Sequence, residues 1–177
     1  MAQLLDEPLA VRSKMLVHPT ILETRTVDWP DEAACAAFAQ ALSRSPALLD
    51  AYVELHGPLG AGKTTFVRHL LRALGVRGRI KSPTYAVLEP YDIGGLEVSH
   101  FDFYRFNDPV EWDDAGFRDI FGRPGLKLAE WPERALGMLP PADLSLAIEP
   151  ADHHDDARRV VATAQTPAGQ RLLQAWP

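Results

Sequence analysis

The residues with the clearest chemical purpose form one run, Gly57-Pro58-Leu59-Gly60-Ala61-Gly62-Lys63-Thr64, between the apolar stretch LLDAYVEL and the helical pattern VRHLLRAL. The run satisfies the spacing G-x-x-x-x-G-K-[ST] in the context the pattern demands, after a strand and before a helix. Glycines at 57, 60 and 62 let the backbone curl so that successive N–H groups face inward at the positive end of the helix dipole. Such a concavity takes phosphates. Lys63 is expected to reach the β and γ phosphates of a nucleotide, and the Thr64 hydroxyl to complete the shell of a bridging magnesium ion. Thr65 suits the α-phosphate side. Pro58 lacks a backbone donor, so the cradle must rely on the N–H groups from Leu59 to Thr65, those of Gly60, Ala61 and Gly62 among them. The alternative is a glycine-rich turn with an incidental lysine.

Hydrolysis needs a further acid near magnesium and a group to orient the attacking water. Glu130 closes the apolar LKLAE, a pattern that delivers one carboxylate at the C-terminal edge of a strand, where ligands gather in α/β sheets. Asp102 lies among aromatic residues in SHFDFYR and needs a partner, whether Arg105, magnesium or water. As alternatives, Asp102 makes a structural salt bridge and Glu130 is an exposed strand end. Thr84, in KSPTY, follows a proline-stiffened turn and either reports on the γ-phosphate, as switch segments do, or starts a strand. Trp131 either stacks on the base, faces a partner or packs in the core. His56 and His100 read as packed or loop histidines, and His153-His154 as part of a polar loop. From Lys63 to Lys81 there are six basic residues and no acid, which form either a solvated face or a surface for an acidic partner or tRNA phosphates.

The elements that must hold these groups follow from periodicity and turn chemistry. ILETRTV reads as a strand and WPDEAACAAFAQALSR as a helix opened by proline and acids. DAYVEL is a second strand, and GKTTFVRHLLRALG a helix stopped by Gly75. TYAVLEPYDI and LEVSHFDFYRF form a hairpin across Gly94-Gly95. A helix is expected from Asp108 through GFRDIF, then the buried strand LKLAEW, the strands DLSLAIEP and RRVVATAQ, and the closing helix AGQRLLQAW. The order implies a three-layer α/β domain of P-loop type, with a mixed, mainly parallel sheet and an antiparallel hairpin. A loose extension over 1–20, with mixed charge and no sustained period, precedes one domain over 21–177. The net charge of −6 gives no general reason to bind nucleic acid, so no DNA is expected and any RNA role depends on a partner. The one cysteine, Cys35, makes neither an internal disulfide nor a Cys-based metal cluster, and no stretch is apolar enough to span a membrane. A cytoplasmic location is expected.

GPLGAGKTTF, KSPTYAVLEPY, HFDFYRFNDP, GFRDIF and LAEWPE together, in this order over residues 22–176, resemble the bacterial TsaE (YjeE) family, the ATPase of tRNA threonylcarbamoyladenosine biosynthesis. The resemblance implies that Lys63 and Thr65 bind phosphate, that Thr64 and Glu130 serve magnesium, and that Asp102 is needed for hydrolysis. It also implies that Thr84 acts as a switch threonine and that Trp131 lies by the nucleotide. Asp102 and Glu130 both remain candidates to prepare the attacking water, with Asp102 a further magnesium candidate. The turn WPDE, with Glu32, borders the adenine by the same resemblance, or only starts a helix. The family often carries an acid where this chain has Pro58. The implied partner is a TsaB–TsaD complex, with ATP binding favouring assembly, hydrolysis resetting it, and tRNA met through the complex. Two other classes compete: a small-molecule kinase, against which stands the lack of a clear lid run after the P-loop helix, and a nucleotide-dependent binding module without significant turnover. A GTPase is disfavoured because Asn107, the one asparagine, stands in FNDP and no Asn-Lys-x-Asp reader exists.

Overall fold

The computed structural model describes residues 20–151 and 155–176. Nearly all of the expected N-terminal extension, and His153 and His154, lie outside the described residues.

Strand β1 (Glu23–Trp29) leads to helix α1 (Glu32–Ser43), which Asp31 caps by accepting the Ala34 N–H at 2.9 Å. A 3-10 turn at Pro46–Asp50 enters β2 (Tyr52–His56), and α2 (Lys63–Leu74) leaves the glycine loop. Gly75, at φ 109°, ends α2 by returning its N–H to the last turn, where a side chain would be strained. Strands β3 (Leu88–Ile93) and β4 (Leu96–Asp102) meet at Gly94 and Gly95, both with positive φ as a tight hairpin turn requires. Helices α3 (Pro109–Asp114) and α4 (Phe117–Phe121) lead to β5 (Leu126–Glu130) and a 3-10 turn at Pro132–Ala135. Strands β6 (Leu144–Pro150) and β7 (Arg158–Ala164) and helix α5 (Pro167–Gln174) close the chain.

The seven strands form one sheet in the order β1-β7-β6-β2-β5-β4-β3. Its centre, β6-β2-β5-β4, is parallel, and antiparallel pairs flank it on both sides. Every residue of β5 is buried, as expected of a strand covered on both faces. Two apolar clusters mark the two faces. Phe38, Phe66, Leu70 and Leu172 carry α1, α2 and α5 onto one face through Val53, Leu128 and Leu146. Phe101, Phe103, Trp112 and Phe117 bring α3 and α4 onto the other, above Tyr52 and Ala129. The result is the three-layer α/β arrangement expected.

Strand β1 runs two residues further than ILETRTV, taking in Trp29, which was expected to open the helix, and three other departures from the sequence expectation change the chain's path. The single helix expected from Asp108 is two, because Gly116 takes φ 68° between them and redirects the chain so that Phe117 is buried. Strand β3 starts at Leu88 rather than Thr84, since Val87, at φ 65°, donates its N–H to the Pro83 carbonyl and closes a turn. Strand β4 stops at Asp102, where the Phe106 N–H bonds the Phe103 carbonyl in place of a ladder. Both strand limits leave Thr84 and Asp102 at the sheet's C-terminal rim.

Candidate functional site

Side chains alternate across a strand, so His100 and Asp102 of β4 share one face, as do Leu126, Leu128 and Glu130 of β5. That face is the one α2 covers. Asp102 and Glu130 are also register partners between parallel strands, which sets two carboxylates side by side at the rim where α2 begins. A cavity of about 270 Å³ lies there. Its wall is formed by Leu59 through Thr65, by Ser82, Thr84 and Asp102, and by Tyr104, Glu130 and Trp131. A larger hollow of about 550 Å³ beside β3 also carries charged side chains, Asp92, Glu97, Arg123 and Lys127, but no residue of the glycine loop lines it.

Lys63 is 4% exposed, and its ammonium donates to the carbonyls of Gly57 at 2.6 Å and Pro58 at 2.9 Å. The same Nζ lies 3.8 Å from the centre of the Trp131 ring. Burial lowers the Lys63 pKa, against the opposing pull of Glu130, Glu133 and Asp102. Trp131 reaches that position because its own backbone is left-handed, φ 58° and ψ 46°, a conformation that costs a bulky residue about 1–3 kcal/mol. Tyr104 packs against it at a tilt, ring centres 5.0 Å apart.

The carboxylates are held by separate hydroxyls. Thr64 Oγ1 lies 3.0 and 2.9 Å from the two Glu130 oxygens, and His100 Nε2 lies 2.9 Å from Oε1. Asp102 Oδ2 accepts from Thr84 Oγ1 at 2.8 Å and from Ser82 Oγ, while Oδ1 accepts the Tyr104 N–H at 2.9 Å. Arg105 is not the partner of Asp102; its guanidinium lies over the Tyr85 ring, 4.6 Å from the centre, because the turn after β4 carries it outward. Asp102 and Glu130 are 3% and 2% exposed, and among the described residues neither forms an ion pair with a lysine or arginine. Two buried carboxylates beside a threonine hydroxyl make a set of hard oxygen donors suited to magnesium, which takes one or two carboxylates and leaves its other positions to phosphates and water. Among the described residues no cluster of three or more His, Cys, Asp or Glu forms a ready cage for a metal.

Residues 29–160 match the family model of the threonylcarbamoyl adenosine biosynthesis protein TsaE. The chain belongs to the TsaE family. It is 39% identical over 161 residues to the tRNA threonylcarbamoyladenosine biosynthesis protein TsaE of Haemophilus influenzae, covering 88% of this chain and 99% of that one. The TsaE of Bacillus subtilis is 34% identical over 143 residues, covering 81% and 85%. The crystal structure of Bacillus subtilis YdiB superposes with a TM-score of 0.67 at 25% identity, covering 86% of this chain and 93% of that chain.

In this TsaE family member Gly57 stands outside the cavity wall but sets the loop's path: a Cβ there would lie 2.1 Å from the Ile148 carbonyl oxygen, and φ is 133°. Glu32 opens α1 on the other side of the loop and meets His69 Nε2 at 2.8 Å. It lines a smaller cavity of about 120 Å³ with Trp29, Cys35, Thr65 and Arg158. Burial, with Glu32 adding to it and Arg158 opposing, pushes the Cys35 thiol up to about 12.

Three contributors were not legible as site residues. Ser82 shares Asp102 with Thr84, and only its nearness to Thr84 hinted at that. Arg158, first in β7, donates from Nε to the Ala61 carbonyl at 2.8 Å and so braces the glycine loop from a distance of 97 positions in sequence. His100, expected as a packed or loop histidine, is packed, and it also bonds Glu130. The signal that finds it is its place two residues before Asp102 on an alternating strand.

Proposed function

We propose that the chain is an ATPase required for threonylcarbamoyladenosine formation at position 37 of tRNAs reading codons that begin with A, and that it works on a TsaB–TsaD complex. Membership of the TsaE family supports the pathway. The observation that carries the ATPase reading is the convergence of Lys63, Thr64, Thr84, Asp102 and Glu130 on one cavity at the mouth of the glycine loop.

In this reading the loop N–H groups from Leu59 to Thr65 cradle the phosphates at the α2 N-terminus. Lys63 turns its ammonium from the Gly57 and Pro58 carbonyls to the β and γ oxygens. Thr64 and Glu130, with Asp102 alongside, would hold magnesium, which neutralises phosphate charge when bound. Asp102 accepts a hydrogen bond from the attacking water and orients it. Trp131 and Glu32 flank the nucleotide. Because Thr84 and Ser82 already hold the Asp102 carboxylate, any shift of their loop moves the group that orients the water. That linkage supports a reading of slow hydrolysis alone and faster hydrolysis with a partner that shifts the loop. Leu59 and Tyr85, 76% and 85% exposed, offer apolar contacts near the opening. ATP binding then favours assembly of the complex and hydrolysis resets it, provided the two nucleotide states differ in affinity for the partner. tRNA is met through the complex, in the cytoplasm.

The deciding experiment measures ATP hydrolysis by the purified chain, alone and with TsaB–TsaD, while following tRNA modification. Stimulated hydrolysis, lost together with multi-turnover modification in Lys63→Ala and Asp102→Ala, is the expected result. Hydrolysis indifferent to the complex, or phosphate passing to a small acceptor, overturns it.

A further inference from the structure

His100 is fully buried in β4, beside Leu128 of β5, and its two ring nitrogens have opposite fates. Nε2 lies 2.9 Å from Glu130 Oε1, whereas Nδ1 is buried with no hydrogen-bond partner among the described residues. An ionised carboxylate only accepts, so this contact needs a hydrogen on Nε2. Buried polar atoms are almost always satisfied, and a fold that leaves Nδ1 without a partner has kept an imidazole where an apolar side chain would fit with less penalty. What the imidazole does there is confined to one bond.

We propose that His100 is a positioning residue for Glu130: its Nε2–H takes Oε1 and fixes the carboxylate's rotation, so that the group stays turned to the Thr64 hydroxyl, with which it would hold magnesium. The inference rests on the ATPase reading above. Glu130 has several rotatable bonds, and among the described residues its other side-chain hydrogen bond is with Thr64, a group that on the ATPase reading would itself help to hold magnesium. A carboxylate anchored solely by Thr64 would lose its anchor at the moment it is needed. His100 sits behind it on a central strand and keeps its place. Outer partners of this kind, which orient a ligating side chain without touching the ion, tune metal affinity about tenfold to hundredfold.

The test titrates a fluorescent ATP analogue into the wild-type chain and into His100→Leu, which keeps bulk without a donor, and His100→Gln, whose amide restores an N–H near the Nε2 position. Each titration is run with magnesium and again with EDTA. His100→Leu is expected to weaken binding about tenfold or more with magnesium and to leave it within about twofold in EDTA, with His100→Gln recovering most of the loss. Equal loss in both conditions, or no loss, or a glutamine no better than leucine, overturns the positioning role. Should His100→Leu fail to fold by circular dichroism, His100→Gln against His100→Asn, whose shorter amide falls short of Glu130, gives the same comparison. A wild-type chain whose nucleotide binding ignores magnesium sinks the ATPase reading as well, which separates the two failures.

Discussion

Asp102 and Glu130 face each other in register at the ends of β4 and β5, yet each is tied to a different threonine hydroxyl, Thr84 for the first and Thr64 for the second. The two acids are therefore adjacent in space and separate in control. Thr64 belongs to the first turn of α2, at the end of the glycine loop. Thr84 belongs to an irregular loop ahead of β3.

That division makes Asp102→Asn informative. The substitution keeps the side chain's shape and removes the charge that is proposed to orient water. Turnover is expected to fall roughly a hundredfold or more, while ATP affinity stays within about threefold. Steady-state hydrolysis beside equilibrium nucleotide titration checks both halves. A matching loss of affinity would place Asp102 in nucleotide binding instead.

Arg158 tests how the loop is braced. Its Nε–H to the Ala61 carbonyl, with further donations to the Asp155 and Ala157 carbonyls, holds the glycine loop against β7. Arg158→Ala is expected to weaken nucleotide binding about tenfold through a looser cradle. Arg158→Lys should recover little of this, because a compact ammonium cannot reproduce the fork. Recovery by lysine would mean that charge alone is at work.

Gly57 carries a stability prediction. Its positive φ and the close Ile148 carbonyl leave no room for a methyl group, so Gly57→Ala must displace β6 or the loop. A loss of about 3 kcal/mol or more is expected, which for a chain of this size lowers Tm by roughly 6–12 °C. Calorimetry checks it. An unchanged Tm would mean that the loop relocates freely.

Cys35 supplies a pH dependence. Its folded pKa of about 12 lies above the ordinary 9.0, chiefly because burial disfavours the thiolate. The neutral thiol's contribution to stability is therefore complete below pH 9.0 and is lost as pH rises toward 12. At about pH 8 the native chain should resist a disulfide-forming thiol reagent and the denatured chain should react at once. Equal rates in the two states would show that the thiol is reached without unfolding.

The glycine loop, Lys63, Thr64, the hairpin at Gly94-Gly95 and the acid closing β5 were legible from sequence because each is a local matter. A glycine needed for positive φ, a lysine at the first helical turn and an apolar run ending in a carboxylate declare themselves within a few residues. Gly116 was the local signal passed over: the amphipathic pattern ran on across it, and only the packing of Phe117 and Trp112 shows the chain turning there. What tertiary structure alone decided is which distant groups meet. Asp102 joined Ser82 and Thr84 rather than Arg105, three residues away, because strand β4 stops at Asp102 and the turn beyond it carries Arg105 outward. Arg158 reached the loop, and His100 reached Glu130, because the sheet sets β7 within reach of the glycine loop and β4 beside β5. Sequence spacing encodes which face a side chain takes on its own strand; the register between strands, chosen by the packing of the whole sheet, decides what it touches.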